Sequence, residues 1–497
     1  MSARFKQRLR CLFSPRSVAI IGASNSPEKW GNRILFNLTR GGYPGRIFPV
    51  NPREKEVLGL EAAPSILEIH PDIDLAVITI PPAGVVGAVR DCAARGVGCT
   101  IVITSGFSET GEAGRKLEEE IRELAVRADM PLVGPNCVGI LSPPNSLYCH
   151  MMPVFPPPGN IAIIGQSGSV ADMIASRIAS RGMGISHSIS VGNEAVLQVA
   201  DYLDFLADDD QTSVILGYIE GLRNGHRFLE IAGRVTRKKP IILLKAGSTP
   251  AGARAGLSHT GALAGSDEIV DAALKQAGVL RARSLDDMVD AGLVFSRLPL
   301  PKGNRVGIIA PGGGWGVMAA DACTAEGLDV APLDDATLNR LNAVLPEVWS
   351  HGNPVDTIAG VKGSIGELLE IMAASPSLDG IIALGAVAGA PSLWRYLEGS
   401  RNKEEVTERY ALGAMDFLGL SFKDVVRIRD SYGKPIVMAI FMPIYMGRIM
   451  DVMKRLAEQT QTATFMSPAQ ACAAYGYLWR YSSYLKTVNP IPRGGLR

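Results

Sequence analysis

The chain has 497 residues, 47% of them apolar and 20% charged, and carries a formal net charge of +1. A length of this order predicts about three domains at roughly 150 residues each, and the apolar content excludes wholesale disorder. The near-zero charge disfavours a nucleic-acid binder, which ordinarily shows a strong basic excess. Cysteines stand at 11, 92, 99, 137, 149, 323 and 472, an odd number with no CxxC pair. That spacing suits neither a disulfide framework nor a zinc site and predicts a reducing, cytoplasmic setting. The apolar runs are short and broken by glycine or proline, as at Pro81-Pro82, so no membrane span is expected. The basic start, Ser2 to Arg10, reads as a surface or docking helix, or as an organellar leader.

In chain order, the first block predicts strands at 18–21, 47–50, 75–80, 100–104 and 131–133, with a charged helix over 115–128. A proline-rich stretch at 152–159 marks a boundary. The second block predicts strands at 161–164, 186–190, 214–219 and 241–245, with helices near 196–207 and 228–237. A second proline-rich stretch, 298–303, opens a third block with strands at 306–309, 380–384 and 436–440 and a closing helix after Pro468. Residues 394–416 are more charged and less periodic and read as an insertion in that block. The expected fold is α/β, with three Rossmann/flavodoxin-like parallel-sheet domains in tandem at 1–150, 151–300 and 301–497.

Each block opens with a buried strand running into a small-residue turn. In such sheets ligands gather at the carboxyl ends of the strands. Gly22-Ala23-Ser24-Asn25 reads as a phosphate turn or as a plain tight turn, and it lacks the G-x-G-x-x-G spacing of a dinucleotide site. Gly165-Gln166-Ser167-Gly168-Ser169 offers two hydroxyls at a helix start, for an anion or for capping. Gly312-Gly313-Gly314-Trp315-Gly316 repeats the pattern, with more glycine than a turn ordinarily needs. His259 lies in a long loop of small residues after the 241–245 strand. A neutral imidazole there is a competent nucleophile towards phosphorus. Glu220 ends a neighbouring strand, either as a solvated charge or as the carboxylate that fixes the imidazole tautomer. No P-loop motif occurs, and no cluster has metal-ligand spacing, so no metal site is expected on this chain.

Eight short motifs together carry a more specific likeness: Gly22-Ala23-Ser24, Val50-Asn51-Pro52-Arg53, Ser105-Gly106-Phe107, Gly134-Pro135-Asn136-Cys137, Gln166-Ser167-Gly168-Ser169, Ile219-Glu220-Gly221, Ser258-His259-Thr260-Gly261 and Asn353-Pro354-Val355-Asp356. With them the chain resembles the NDP-forming acyl-CoA synthetase superfamily, which includes succinyl-CoA synthetase and the ADP-forming acetyl-CoA synthetases. The resemblance implies that a carboxylic acid, ATP and CoA become acyl-CoA, ADP and phosphate through an acyl phosphate and a phosphohistidine. It implies His259 as the phosphohistidine and Glu220 as its orienting carboxylate. It places phosphate at Ser167, Gly168 and Ser169 and at a second terminus, Gly313 and Gly314. It places CoA beside Gly22, Ala23, Ser24, Arg53, Pro81, Ser105 and Asn136. All three blocks are then a CoA-binding domain and two ligase domains. ATP/ADP and Mg²⁺ are expected on a partner ATP-grasp β subunit in an α2β2 hetero-oligomer. The stretch from Leu384 to Gly389 and the insertion after it leave the acid unnamed. Two rivals are a nicotinamide-dependent oxidoreductase, opposed by the broken fingerprint, and a catalytically idle CoA-sensing or scaffold homologue, opposed by the presence of His259.

Overall fold

The computed structural model describes residues 3–252, 254, 267–357, 360–362, 364–385, 422–440 and 459–488. His259 and the 394–416 stretch lie outside the described residues. The chain divides into two compact units, 1–288 and 289–497.

Residues 1–288 carry two main sheets. The first contains β1 (Ser17–Ile21) and β2 (Arg46–Val50); a small hairpin, β3 (Glu56–Val57) with β4 (Leu60–Glu61), stands apart. The sheet continues with β5 (Leu75–Ile78), β6 (Cys99–Val102) and β7 (Leu132–Val133), in the order β2-β1-β5-β6-β7. Every pairing is parallel. All residues of β1, β5 and β6 are buried, as expected for strands covered on both faces. The covering helices include α1 (Ala3–Leu9), α2 (Trp30–Arg40), α3 (Pro82–Arg95) and α4 (Glu112–Arg127).

The second sheet runs β14-β13-β12-β10-β11-β8-β9. Its hairpin is β8 (Gly139–Ser142) with β9 (Leu147–His150), followed by β10 (Pro158–Gly165), β11 (Ile185–Ser190), β12 (Val214–Ile219), β13 (Ile241–Lys245) and β14 (Leu280–Arg281). The last five are mutually parallel, and the hairpin joins β11 antiparallel. Residues 139–150, which fall in the first block by sequence, thus pair with the second sheet. Asn37 of α2 donates to the carbonyls of His150 (2.7 Å) and Met152 (3.0 Å), so the hairpin also anchors the first layer. The helices of this sheet include α5 (Gly168–Ser180), α6 (Val199–Leu206) and α7 (Gly225–Val235).

Residues 289–497 hold the third sheet, β15 (Val306–Ala310), β16 (Val355–Asp356), β17 (Gly380–Leu384), β18 (Ile436–Ala439) and β19 (Ala463–Phe465). It is wholly parallel in the order β16-β15-β17-β18-β19. Its core packs Ile309, Ile381 and Met438 against Leu341, Leu368 and Ile428. The architecture is α/β with three parallel or mostly parallel sheets. Among the described residues no helix is long and apolar enough to cross a membrane.

Candidate active site

The first cluster forms at the carboxyl edge of the β1 sheet. Gly22 turns the chain out of β1 at φ +96°, and its N–H donates to the Val50 carbonyl at 3.0 Å. A Cβ there would lie 2.7 Å from Thr79 Oγ1, and one on Gly31 would lie 2.1 Å from the Gly22 carbonyl. These two glycines let the first turn of α2 press directly onto the β1 turn. Asn51 and Asn32 brace the turn by donating to the carbonyls of Ala23 (2.7 Å) and Ser24 (2.8 Å).

Ser24 is buried, and its hydroxyl donates to Glu54 Oε1 at 3.1 Å. Asn25 gives Glu54 Oε2 both its backbone N–H (3.2 Å) and its side-chain amide (2.5 Å). Glu54 is therefore a structural clasp of this turn, and nothing in the sequence marks it as one. Arg53, Pro81, Ser105 and Asn136 are exposed, each following a different strand of the same sheet. The seven residues expected to hold CoA thus share one sheet edge.

The second cluster lies where β10 enters α5. Ser167 caps the helix by position, yet its side chain makes no capping bond. Its hydroxyl instead meets that of Ser169 at 3.1 Å on an exposed surface. A helix start with hydroxyls free of capping duty suits an anion, because the first N–H groups and the dipole favour negative charge.

Gln166, immediately before it, joins this terminus to the end of β12. Its side-chain oxygen accepts from the N–H groups of Glu220 (2.5 Å) and Gly221 (3.0 Å). Its nitrogen donates to the Gly221 carbonyl (2.7 Å) and to Glu194 Oε2 (3.0 Å). The structure so brings Ser167–Ser169 and Glu220 together. Lys245, paired in register with Ile219, ends the adjacent strand half-buried, and burial lowers its pKa.

Three residues without an expected role complete the arrangement. Glu194 is 5% exposed at φ +57°, and burial raises its pKa. Asn193 donates to Glu109, Glu118 and Ser108 at 2.5, 2.9 and 3.2 Å. Arg223 donates to the Asn193 carbonyl at 2.6 Å. The available signal was Gly192-Asn193-Glu194 at the carboxyl end of a strand.

In residues 289–497, Gly313 and Gly314 are exposed at the start of a helix, Gly313–Ala325. A Cβ on Gly314 would meet nothing within 4 Å. Packing therefore does not demand glycine at 314. Among the described residues no three His, Cys, Asp or Glu side chains gather as a metal site.

Residues 16–143 match the model of a CoA binding domain, and residues 158–295 match that of a succinyl-CoA ligase like flavodoxin domain. The alpha subunit of acetate–CoA ligase [ADP-forming] II from Pyrococcus furiosus is 38% identical over 93% of this chain and 95% of its own length. The 4-hydroxybutyrate–CoA ligase [ADP-forming] of Nitrosopumilus maritimus is 33% identical over 76% of this chain, which spans 55% of that protein. A solved dinucleotide forming acetyl-coenzyme A synthetase 1 from Ca. Korarchaeum cryptofilum, in complex with phosphate and ADP, superposes with a TM-score of 0.83 at 30% identity, covering 97% of this chain and 99% of that one. With its CoA-binding and ligase-like domains, this chain belongs to the ADP-forming acyl-CoA synthetases, acid–thiol ligases, and is alpha-subunit-like.

Proposed function

We propose that this chain is the alpha subunit of an acyl-CoA synthetase and relays phosphate through His259. The observation that carries the reading is the joining of the uncapped Ser167–Ser169 terminus to the Glu220 strand end through Gln166. An imidazole delivered between them would meet anion donors on one side and an orienting carboxylate on the other.

In the forward direction the ATP γ-phosphoryl group passes to one ring nitrogen of His259, with ADP leaving. A carboxylate oxygen of the acid then attacks phosphorus, the P–N bond breaks, and an acyl phosphate forms. The CoA sulfur attacks the acyl carbon, the bond to the phosphate oxygen breaks, and the thiol proton leaves with phosphate. Ser167, Gly168 and Ser169 hold the phosphoryl oxygens, and Glu220 holds the second ring nitrogen. Gly313 and Gly314 provide the second phosphate-binding terminus. CoA lies along Gly22, Ala23, Ser24, Arg53, Pro81, Ser105 and Asn136. The α2 N-terminus beside the Gly22 turn and the exposed Lys29 and Arg53 suit a phosphate-bearing ligand.

ATP and Mg²⁺ sit on a partner ATP-grasp subunit. The homologue named subunit alpha supports such a partner, and an α2β2 assembly is the stoichiometry we propose. The three sheets serve as one CoA-binding and two ligase domains. Seven free thiols fit a reducing cytoplasm. The acid is a small carboxylate whose identity differs among relatives.

The test uses the chain with its ATP-grasp partner and labelled ATP. The parent should gain an acid-labile, base-stable phosphate, and His259→Ala should not. Glu220→Gln should slow labelling more than it weakens CoA binding. Labelling and turnover by His259→Ala would sink the assignment. A parent that binds CoA yet neither labels nor turns over would be the idle CoA-sensing homologue.

A further inference from the structure

We propose that Gln166 and Glu194 are positioning residues that hold the Glu220–Gly221 strand end against the Ser167–Ser169 helix terminus; this rests on the phosphohistidine reading of the same site.

A primary amide has two donor hydrogens and an oxygen that accepts twice. Gln166 uses all four: two N–H groups, of Glu220 and Gly221, on its oxygen, and the Gly221 carbonyl and Glu194 on its nitrogen. Its backbone N–H also donates to the Tyr218 carbonyl at 3.1 Å, extending the β10–β12 pairing by one residue. The next residue is Ser167. Gln166 is thus the one residue stitched by both backbone and side chain to the end of β12 that also leads directly into the phosphate terminus.

Glu194 decides which way that amide faces. Both Glu194 oxygens accept, one of them from the Gln166 nitrogen, so the amide nitrogen turns toward Glu194 and the oxygen toward the Glu220 and Gly221 N–H groups. The opposite orientation would set two donors against two donors. Glu194 is itself locked: its other oxygen accepts from the Val199 N–H at 2.7 Å. Its loop is pinned by Asn193 N–H to the Pro135 carbonyl (2.9 Å) and Ala195 N–H to the Gly134 carbonyl (3.1 Å). A carboxylate at 5% exposure and positive φ is costly to keep. Orienting the amide gives it a use that packing alone does not require. Misplacement of reacting groups by about 1 Å can slow a reaction on the order of 100-fold.

The experiment compares Gln166→Glu, Glu194→Gln, the double swap, and His259→Ala in the holoenzyme with its ATP-grasp partner. It measures single-turnover phosphate labelling from ATP, KM for inorganic phosphate in the reverse reaction, Kd for CoA, and thermal midpoint. Gln166→Glu sets two carboxylates together, and Glu194→Gln sets two amides together. Each should slow labelling on the order of 10- to 100-fold and raise the phosphate KM, with CoA Kd changed less than about twofold. The swap restores the 166–194 bond but sets a carboxylate oxygen towards the Gly221 carbonyl, and should recover part of the rate. Single variants that label at the parental rate overturn the proposal, as do losses of labelling, CoA binding and midpoint together that the swap does not rescue. Label persisting in His259→Ala sinks the phosphohistidine reading instead. Label lost in His259→Ala but parental in both single variants sinks only the positioning role.

Discussion

Asn136 Nδ2 donates to Asn193 Oδ1 at 3.2 Å, linking the turn after β7 of the first sheet to the loop after β11 of the second. The same Asn193 reaches back with its amide nitrogen to Glu109 and Glu118 around α4. One side chain therefore ties the expected CoA edge to the loop that carries Glu194.

Removing that amide should loosen the junction. Asn193→Ala leaves the Glu109 and Glu118 carboxylates without a shared donor, and a destabilisation of about 1–3 kcal/mol is expected. Asn193→Asp should be worse, because it adds a third carboxylate. Burial pushes the Glu109 carboxyl up, but the bonds from Asn193 and from the Gly106 and Phe107 N–H groups outweigh it and hold it below its ordinary value. A depressed carboxyl contributes stability above its unfolded pKa, and that stability is lost as pH falls through the folded value. The parent's margin over Asn193→Ala should therefore be full near pH 7 and shrink as pH falls through the carboxylate range. Urea midpoints from pH 7 down to pH 3 check this, and parallel curves would refute it.

Two glycine-to-alanine changes should have opposite signs. A Cβ on Gly31 would sit 2.1 Å from the Gly22 carbonyl, a backbone atom that cannot step aside. Gly31→Ala should cost roughly 1–3 kcal/mol and weaken CoA binding. Gly87 lies inside α3, and a Cβ there meets nothing within 4 Å. Gly87→Ala should stabilise by up to about 1 kcal/mol, the helix-propensity difference, with CoA affinity unchanged. Calorimetric CoA titration and thermal melts distinguish the two; equal effects would show that Gly31 does not shape the turn.

Glu194 should leave a pH signature of the reverse sign. Burial raises its carboxyl pKa, and the bonds from Val199 and Gln166 only partly offset this. A raised carboxyl binds its proton more readily in the folded chain. Its contribution is fully present below the ordinary carboxylate value and is lost as pH rises through the raised one. Glu194→Gln cannot titrate, so its stability should depend less on pH from about 4.5 upward. Unfolding midpoints at closely spaced pH values measure the slope, and an unchanged slope would count against a buried, titrating Glu194.

Much of the fold was legible locally. Val18 to Ile21, Ile161 to Ile164 and Val306 to Ile309 are continuous apolar runs ending in small-residue turns, the mark of strands covered on both faces. Helices were harder. The segment α3 contains Gly84 and Gly87, residues of low helix propensity, and α2 interrupts its apolar stripe with buried Asn32 and Asn37. The β8–β9 hairpin could not be placed, because its partner β11 lies nearly fifty residues later and pairing is a long-range choice.

By itself the sequence determined the α/β class, the small-residue turns at strand ends and the set of motifs that places the chain among the ADP-forming acyl-CoA synthetases. Those properties are local, written in runs of a few residues. Only the tertiary structure decided that Glu54 clasps the Gly22 turn, that residues 139–150 belong to the second sheet, and that Gln166 faces Glu194 and Glu220 at once. Hydrogen-bond partners twenty-eight to fifty-four positions apart leave no periodic trace, because the distance between them is set by sheet order and loop closure rather than by neighbouring residues.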